Sequence, residues 1–273
     1  METTKTRFTI IKIFILLLII SVYGCKKEPG SGYETDFNKY FKGYNGCFVL
    51  YDFNNKYYIR HNKEQCNKRL SPCSTFKIPN SLIALETGVA NDENFTLKWD
   101  STKYMIGSWN QDHTLKSAIA NSVVWYYKEI ARRIGEQRMN DYFKKINYGN
   151  NDISGGIDKF WLMSTLKISA NEQVEFILKL LKNELPFSER TVKIVKDIII
   201  LEKTDLYTFS GKTGSSGMDE VNKKSQGWFV GYILLGTNAY AFATNIEGEG
   251  DNEANGKRAK EITIDILKSL KIM

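Results

Sequence analysis

The chain has 273 residues, of which 42% are hydrophobic and 25% charged, with a formal net charge of +7 and a mean hydropathy of −0.35. This is the composition of a globular chain of one or two lobes with a sizeable core, and it argues against a polytopic membrane protein. The basic residues are interleaved with acids, as at Lys144-Lys145, Lys223-Lys224 and Lys257-Arg258, and no groove-reading motif accompanies them. Nucleic acid is therefore not an expected partner, while a solvated basic surface mildly favours anionic ligands.

Residues 1–24 read as an export signal. Lys5, Arg7 and Lys12 precede the apolar run 13–20, which is shorter than the roughly 20 residues a membrane-spanning helix needs. The run ends in Val22-Tyr23-Gly24-Cys25, which resembles a bacterial lipoprotein cleavage site with Cys25 as the lipidated residue. Plain secretion and an uncleaved anchor are the alternatives. The expectation is an exported bacterial protein, periplasmic or in the cell envelope, held at a membrane surface through Cys25. Residues 25–36 form a polar tether and 37–273 the folded domain. The leader carries Lys5, Arg7 and Lys12 against Glu2, so +5 of the formal charge stays with the mature chain.

Residues 47–53 and 56–60 are β-rich runs about Asn54-Asn55, a hairpin signature. Three cysteines remain beyond Cys25: Cys47, Cys66 and Cys73. In an oxidising compartment two of them can pair, and Cys47 with Cys66, near the two ends of the hairpin, is the favoured pair. Their spacings match no zinc site. An apolar helix opens at Ser74 and stops near Gly88. Residues 89–112 are irregular, 114–120 suggest a short helix, and Val123 to Lys145 is helical with a break near Gly135. Residues 148–167 are loop-like. Ser169 opens an amphipathic helix to Leu185, with Glu172 completing a capping box. Ser188 opens another.

Three β-like runs follow, 206–212, 228–235 and 239–246, and a final helix spans about 255–270 with Ile262, Ile266, Leu267 and Leu270 on one face. The order predicts an α+β fold. A central antiparallel sheet joins the first hairpin to the last strands, N- and C-terminal helices pack on it, and a mostly helical lobe, about 74–200, is inserted between the strands.

Ser74-Thr75-Phe76-Lys77 carries the chemistry. Three residues of spacing put serine and lysine on one helical face, about one turn apart. Apolar neighbours favour a neutral lysine, and a hydroxyl beside a neutral amine is a nucleophile with its base. An N-cap serine followed by a surface lysine gives the same pattern. Further motifs shift the balance: Ser122-Val123-Val124 between two helices, Tyr148-Gly149-Asn150 in a turn, and Lys212-Thr213-Gly214 at a strand end followed by Ser215. Each alone is common; the ordered set is not.

In that order the motifs resemble those of the class D serine β-lactamases, the oxacillinases, of the penicillin-recognising serine transpeptidase superfamily. Ser-Val-Val in place of Ser-Asp-Asn, together with Tyr-Gly-Asn, selects class D. The blocks Phe160-Trp161-Leu162, Leu166-Lys167-Ile168-Ser169 and Gly227-Trp228-Phe229-Val230-Gly231 extend the likeness over roughly 40–270. The resemblance implies that Ser74 attacks the amide of a penicillin-type β-lactam. Lys77 would be N-carboxylated by CO2, with bicarbonate as its source and neither metal nor other cofactor, and would serve as base. Trp161 would hydrogen-bond that carbamate, Val124 would wall it in, and Ser122 would relay a proton to the lactam nitrogen. The N–H groups of Ser74 and Ser215 would form the oxyanion hole.

Lys212, Thr213 and Gly214 would meet the substrate carboxylate. The arginine that many members place at the start of the last helix falls on Ala259 here, which leaves Arg258, its neighbour Lys260, or neither for that task; with neither, it falls to Lys212, Thr213 and neighbouring hydroxyls.

Histidine argues separately. The chain has only His61, which reads as a surface residue at the hairpin end, and His113, which reads as a turn residue. Neither has the context of a Ser-His-Asp hydrolase or a zinc enzyme. Two other readings share the motifs: a β-lactam-binding sensor that stays acylated at Ser74, and a penicillin-binding transpeptidase. Drug spectrum and oligomeric state are left open by the sequence.

Overall fold

The structure, a computed structural model, describes residues 32–219, 221 and 223–273. The export signal, Cys25 and the first part of the expected tether lie outside those residues. The chain opens with β1 (Gly32–Glu34), β2 (Asn45–Asp52), β3 (Tyr57–His61) and α1 (Lys63–Asn67). A 3-10 turn, Cys73–Phe76, runs directly into α2 (Lys77–Glu86). The helical lobe continues with the short pair β4 (Thr96–Leu97) and β5 (His113–Thr114), then α3 (Leu115–Ala120), α4 (Val124–Ile134), α5 (Glu136–Ile146), α6 (Ala170–Leu181) and α7 (Glu189–Ile198). The chain returns to the sheet through β6 (Ile200–Lys203), β7 (Tyr207–Ser215), β8 (Lys224–Leu235) and β9 (Asn238–Glu249), and ends in α8 (Gly256–Ser269).

Among the described residues the main sheet has seven strands in the order β1-β3-β2-β9-β8-β7-β6. The first hairpin thus pairs with the last strands, Val49 opposite Ala243 and Val230 opposite Ala243 on the other side, as the sequence order implies. β1 is the exception to antiparallel pairing: Tyr33 lies parallel to and opposite Ile59, so the sheet reaches into the stretch expected to be tether. Successive residues of a strand face opposite sides of a sheet, and both sides here are covered. Phe48, Leu50, Phe229, Phe242 and Ile246 meet Ile262, Ile266 and Leu267 of α8. Cys47, Val49, Trp228, Val230 and Ala243 meet the helical lobe. Phe37 and Ile272 share one cluster, so the two ends of the domain close on each other.

Local signals explain the helix boundaries. Ser169 and Glu172 form the reciprocal capping box of α6, and Ser188 caps α7 by accepting from the Thr191 N–H. Gly135, at φ +80, separates α4 from α5. Cys47, Cys66 and Cys73 are free, buried thiols, so the favoured Cys47–Cys66 bridge is not present. The two are neighbours nonetheless. The Cys66 thiol donates to the His61 carbonyl at 3.2 Å, and burial, with Cys66 alongside, pushes the Cys47 thiol well up.

Candidate active site

Ser74 sits in the 3-10 turn that leads into α2, at the seam between the helical lobe and the sheet. The turn is anchored from both sides. Cys73 N–H donates to the Trp161 carbonyl at 3.1 Å, and Trp228 Nε1 donates to the Ser71 carbonyl at 2.9 Å, with Gln226 Nε2 donating to the same oxygen. Cys73, at φ +49, holds a left-handed backbone that non-glycine residues seldom adopt, immediately before the serine. Thr75 is fixed in turn by the Gln173 amide at 2.9 Å, and Gln173 accepts from the Tyr148 hydroxyl at 3.1 Å.

Lys77 Nζ donates to Ser74 Oγ at 2.8 Å. The lysine is wholly buried, with the Tyr127 ring 5.3 Å from its nitrogen. Burial, and secondarily the Lys212 charge, hold its pKa well below the ordinary value. Its neutral form is therefore favoured. Val124 opens α4 one turn before Tyr127 and is partly buried. The Trp161 ring lies 5.2 Å from that of Phe76, and its Nε1 is buried with no hydrogen-bond partner among the described residues. A buried indole N–H without an acceptor costs about 1–3 kcal/mol, so it marks a place where an acceptor belongs.

Ser122 occupies the junction of α3 and α4 at φ +56, and its hydroxyl accepts from Lys212 Nζ at 3.1 Å. Lys212 also donates to the Thr213 carbonyl at 2.9 Å. It is 6% exposed, and burial pulls its pKa down to about 7.

The strand itself directs the remaining groups. Gly211 N–H donates outward to Ile199, whereas Ser216 N–H donates inward to Gln226 on β8. Backbone direction alternates along a strand, so the N–H groups of Thr213 and Ser215 point away from β8, to the free edge beyond β6. Gly214 makes the approach possible: a Cβ there would lie 2.9 Å from the Pro72 carbonyl and 3.3 Å from Ser74 N. The backbone of β7 thus comes close to that of Ser74, beside a nucleophile and its base, an arrangement suited to acyl transfer.

The structure brings together Ser74, Lys77, Ser122, Lys212, Thr213, Gly214 and Ser215, with Trp161 alongside and Val124 at the start of the helix whose Tyr127 ring reaches Lys77. It does not bring in Arg258. That guanidinium pairs with Glu261 at 3.4 Å and lies 5.9 Å from the Tyr44 ring, while Ala259 is buried against the sheet. Tyr148-Gly149-Asn150 buttresses the site from behind: Asn150 accepts from Lys167 N–H and donates to the Thr165 carbonyl, which closes the loop that carries Trp161.

Both histidines are buried. His61 stacks on Phe41 at 4.8 Å, and His113 sits between the Ser117 hydroxyl and the Ser108 carbonyl. Their surface and turn assignments are corrected, because aromatic rings from other elements, Phe41 beside His61 and Trp125 of α4 beside His113, pack against them. Gln173, Gln226 and Tyr127 escaped sequence reasoning, since nothing local marks a residue whose partner comes from another segment.

The arrangement recurs in known proteins. The family described as penicillin binding protein transpeptidase domain matches residues 46–268. The probable β-lactamase YbxI of Bacillus subtilis is 45% identical over 228 residues, which are 84% of this chain and 82% of that one. The solved structure of the class D β-lactamase BAT-2 superposes with a TM-score of 0.82 at 44% identity, covering 88% of this chain and 97% of that one. The C-terminal domain of the Bacillus licheniformis BlaR penicillin receptor superposes at 0.84 with 37% identity, covering 89% and 98%. The chain belongs to the penicillin-binding transpeptidase-domain family and, within it, to the class D serine β-lactamases.

Proposed function

We propose that this protein hydrolyses the amide bond of penicillin-type β-lactams through an acyl-enzyme at Ser74, with an N-carboxylated Lys77 as base. The observation that carries the reading is the 2.8 Å contact between Ser74 Oγ and a wholly buried Lys77 nitrogen. Ser74 Oγ attacks the lactam carbonyl, and the N–H groups of Ser74 and Ser215 hold the developing oxyanion. Ser122, hydrogen-bonded to Lys212, hands a proton to the departing lactam nitrogen. Water then cleaves the ester. A carbamate on Lys77 would supply the base that draws the proton from Ser74 and later from that water. The fit of such a group is supported by a favoured neutral amine, the one form that reacts with CO2, and by the unpartnered Trp161 N–H. Lys212 and Thr213 attract the substrate carboxylate. The domain works in the cell envelope, tethered by lipid at Cys25.

The second reading, a sensor that is acylated and stays so, is supported by the likeness to the BlaR receptor domain. Turnover separates the two. A chromogenic cephalosporin and a penicillin, mixed with the enzyme with and without bicarbonate, are expected to give many turnovers per chain and a 13C-labelled carbamate signal with 13C-bicarbonate. One acylation per chain with no further product overturns the hydrolase reading. Turnover without any carbamate signal overturns the assigned base alone.

A further inference from the structure

Ser71 and Pro72 lead into the serine turn, and no step described above uses the Ser71 hydroxyl. Ser71 is buried, yet its hydroxyl and its carbonyl are both engaged, each with a different segment. The hydroxyl donates to the Trp161 carbonyl at 2.9 Å and accepts from the Met163 N–H at 2.9 Å. The carbonyl accepts from Trp228 and Gln226 of β8. We propose that Ser71 is a positioning residue: it clasps the Trp161 loop to the serine turn and so sets the place of the Trp161 indole N–H. Its effect on turnover rests on the reading of Lys77 as a carboxylated base; its effect on the indole does not.

The loop has little support of its own. The Leu162 N–H donates to the Lys159 carbonyl at 2.7 Å, and the Leu166 N–H to the Phe160 carbonyl at 2.9 Å. Between them, residues 161–165 form neither helix nor strand. Met163 holds φ +54, a left-handed backbone that a non-glycine residue keeps only where its surroundings impose it. Backbone donors and acceptors in such a turn need partners from outside it. A serine hydroxyl carries one donor and two lone pairs, so Ser71 serves a carbonyl and an N–H at once.

Ser71 is itself held in place. Its carbonyl is fixed on β8, and its neighbour Leu70 exchanges two backbone hydrogen bonds with Ile168, at 2.9 and 2.8 Å, just past the far end of the loop. The Trp161 carbonyl has a second donor in the Cys73 N–H at 3.1 Å, whereas the Met163 N–H is held by Ser71 Oγ alone among the described residues. Loss of the hydroxyl therefore frees Met163 first and, two residues away, Trp161. The indole stays wedged between Phe76 and Phe160, whose ring centroids are 5.2 and 5.0 Å from its own, so the change is a loosening and not an expulsion.

The test is Ser71→Ala in the full-length protein. Ser188→Ala, which removes the cap of α7, shows what lost stability alone does. Ser71→Ala is expected to raise the bicarbonate concentration for half-maximal hydrolysis of a chromogenic cephalosporin roughly 5- to 10-fold, with KM and the kcat at saturating bicarbonate each changed less than about 3-fold. Ser188→Ala leaves the requirement unchanged. Because Ser71 acts through Trp161, Ser71→Ala added to Trp161→Phe gives no further rise. The second readout is solvent exchange of the indole N–H groups in 15N-labelled protein, with the Trp161 and Trp228 signals identified by their loss in the respective Phe variants. In Ser71→Ala the Trp161 N–H exchanges at least about 5-fold faster, while that of Trp228, which donates to the retained Ser71 carbonyl, keeps its rate. An unchanged bicarbonate requirement overturns the proposal, as does an equal rise in Ser188→Ala, a double variant in which the two effects multiply, or equal acceleration of both indoles. Wild-type activity indifferent to bicarbonate overturns the reading of Lys77 instead, and the two indole rates then decide on Ser71 alone.

Discussion

Gly214→Ala isolates the contribution of backbone position to this site. The added Cβ would lie 2.9 Å from the Pro72 carbonyl oxygen, 3.2 Å from Thr75 Cγ2 and 3.3 Å from Ser74 N. The tightest of these is about 0.5 Å inside ordinary contact distance, and two of the three neighbours are backbone atoms that no rotamer change can move. Relief therefore requires β7 and the Cys73–Phe76 turn to part by roughly that amount, and Ser215 moves with its neighbour. An N–H···O contact lengthened from about 2.9 to about 3.4 Å loses most of its value to a developing oxyanion. Loss of one such donor costs about 10²- to 10³-fold in kcat. The cost to folding is smaller, about 1–3 kcal/mol for a locally overpacked site, or a few degrees in Tm per kcal/mol for a domain of this size. The assay is steady-state hydrolysis of a chromogenic cephalosporin alongside thermal melting by circular dichroism. A folded Gly214→Ala enzyme with kcat within a few-fold of wild type would refute the claim that this close approach positions the oxyanion donors.

Three further outcomes are expected. Lys77→Ala abolishes turnover, because no other base lies within hydrogen-bond reach of Ser74 Oγ among the described residues; wild-type-like rates would remove Lys77 from the mechanism. Trp161→Phe removes the N–H that lacks an acceptor, so the bicarbonate concentration needed for half-maximal activity rises about 10-fold or more, and an unchanged requirement would make Trp161 a packing residue only. For stability, Lys212 in the folded chain loses its proton near pH 7 instead of at the ordinary value of 10.5. Between those values the unfolded chain binds more protons, so the unfolding free energy of wild type relative to Lys212→Met rises with pH, by about 1 kcal/mol per unit between pH 8 and 9. Urea titrations across that range measure it, and a flat or falling difference would show that the folded ammonium keeps its proton.

The amino-acid sequence by itself determined the parts of this protein whose cause is local. The Ser169–Glu172 box, the Ser188 cap and the Gly135 break act within a turn of where they stand, and each helix boundary they mark is observed. The Ser74–Lys77 spacing places both groups on one helical face without help from any tertiary contact. The strands β8 and β9 were legible from their apolar runs; β6, short and exposed, was not.

Only the tertiary structure decided what depends on distant partners. Lys212 meets Ser122 across 90 residues of chain, and Gln173 meets Thr75 across 98. Burial of His61 followed from Phe37 and Phe41, twenty or more residues away. The start of α8 shows the distinction most clearly. Residues 257–260 offer three charges within four positions, and sequence chemistry does not separate them. The packing of a side-chain-free Gly256 on Thr213 sets the rotation of α8, and that rotation turns Arg258 to Tyr44, buries Ala259 and leaves Lys260 half-buried on the wall of a cavity it shares with Thr213.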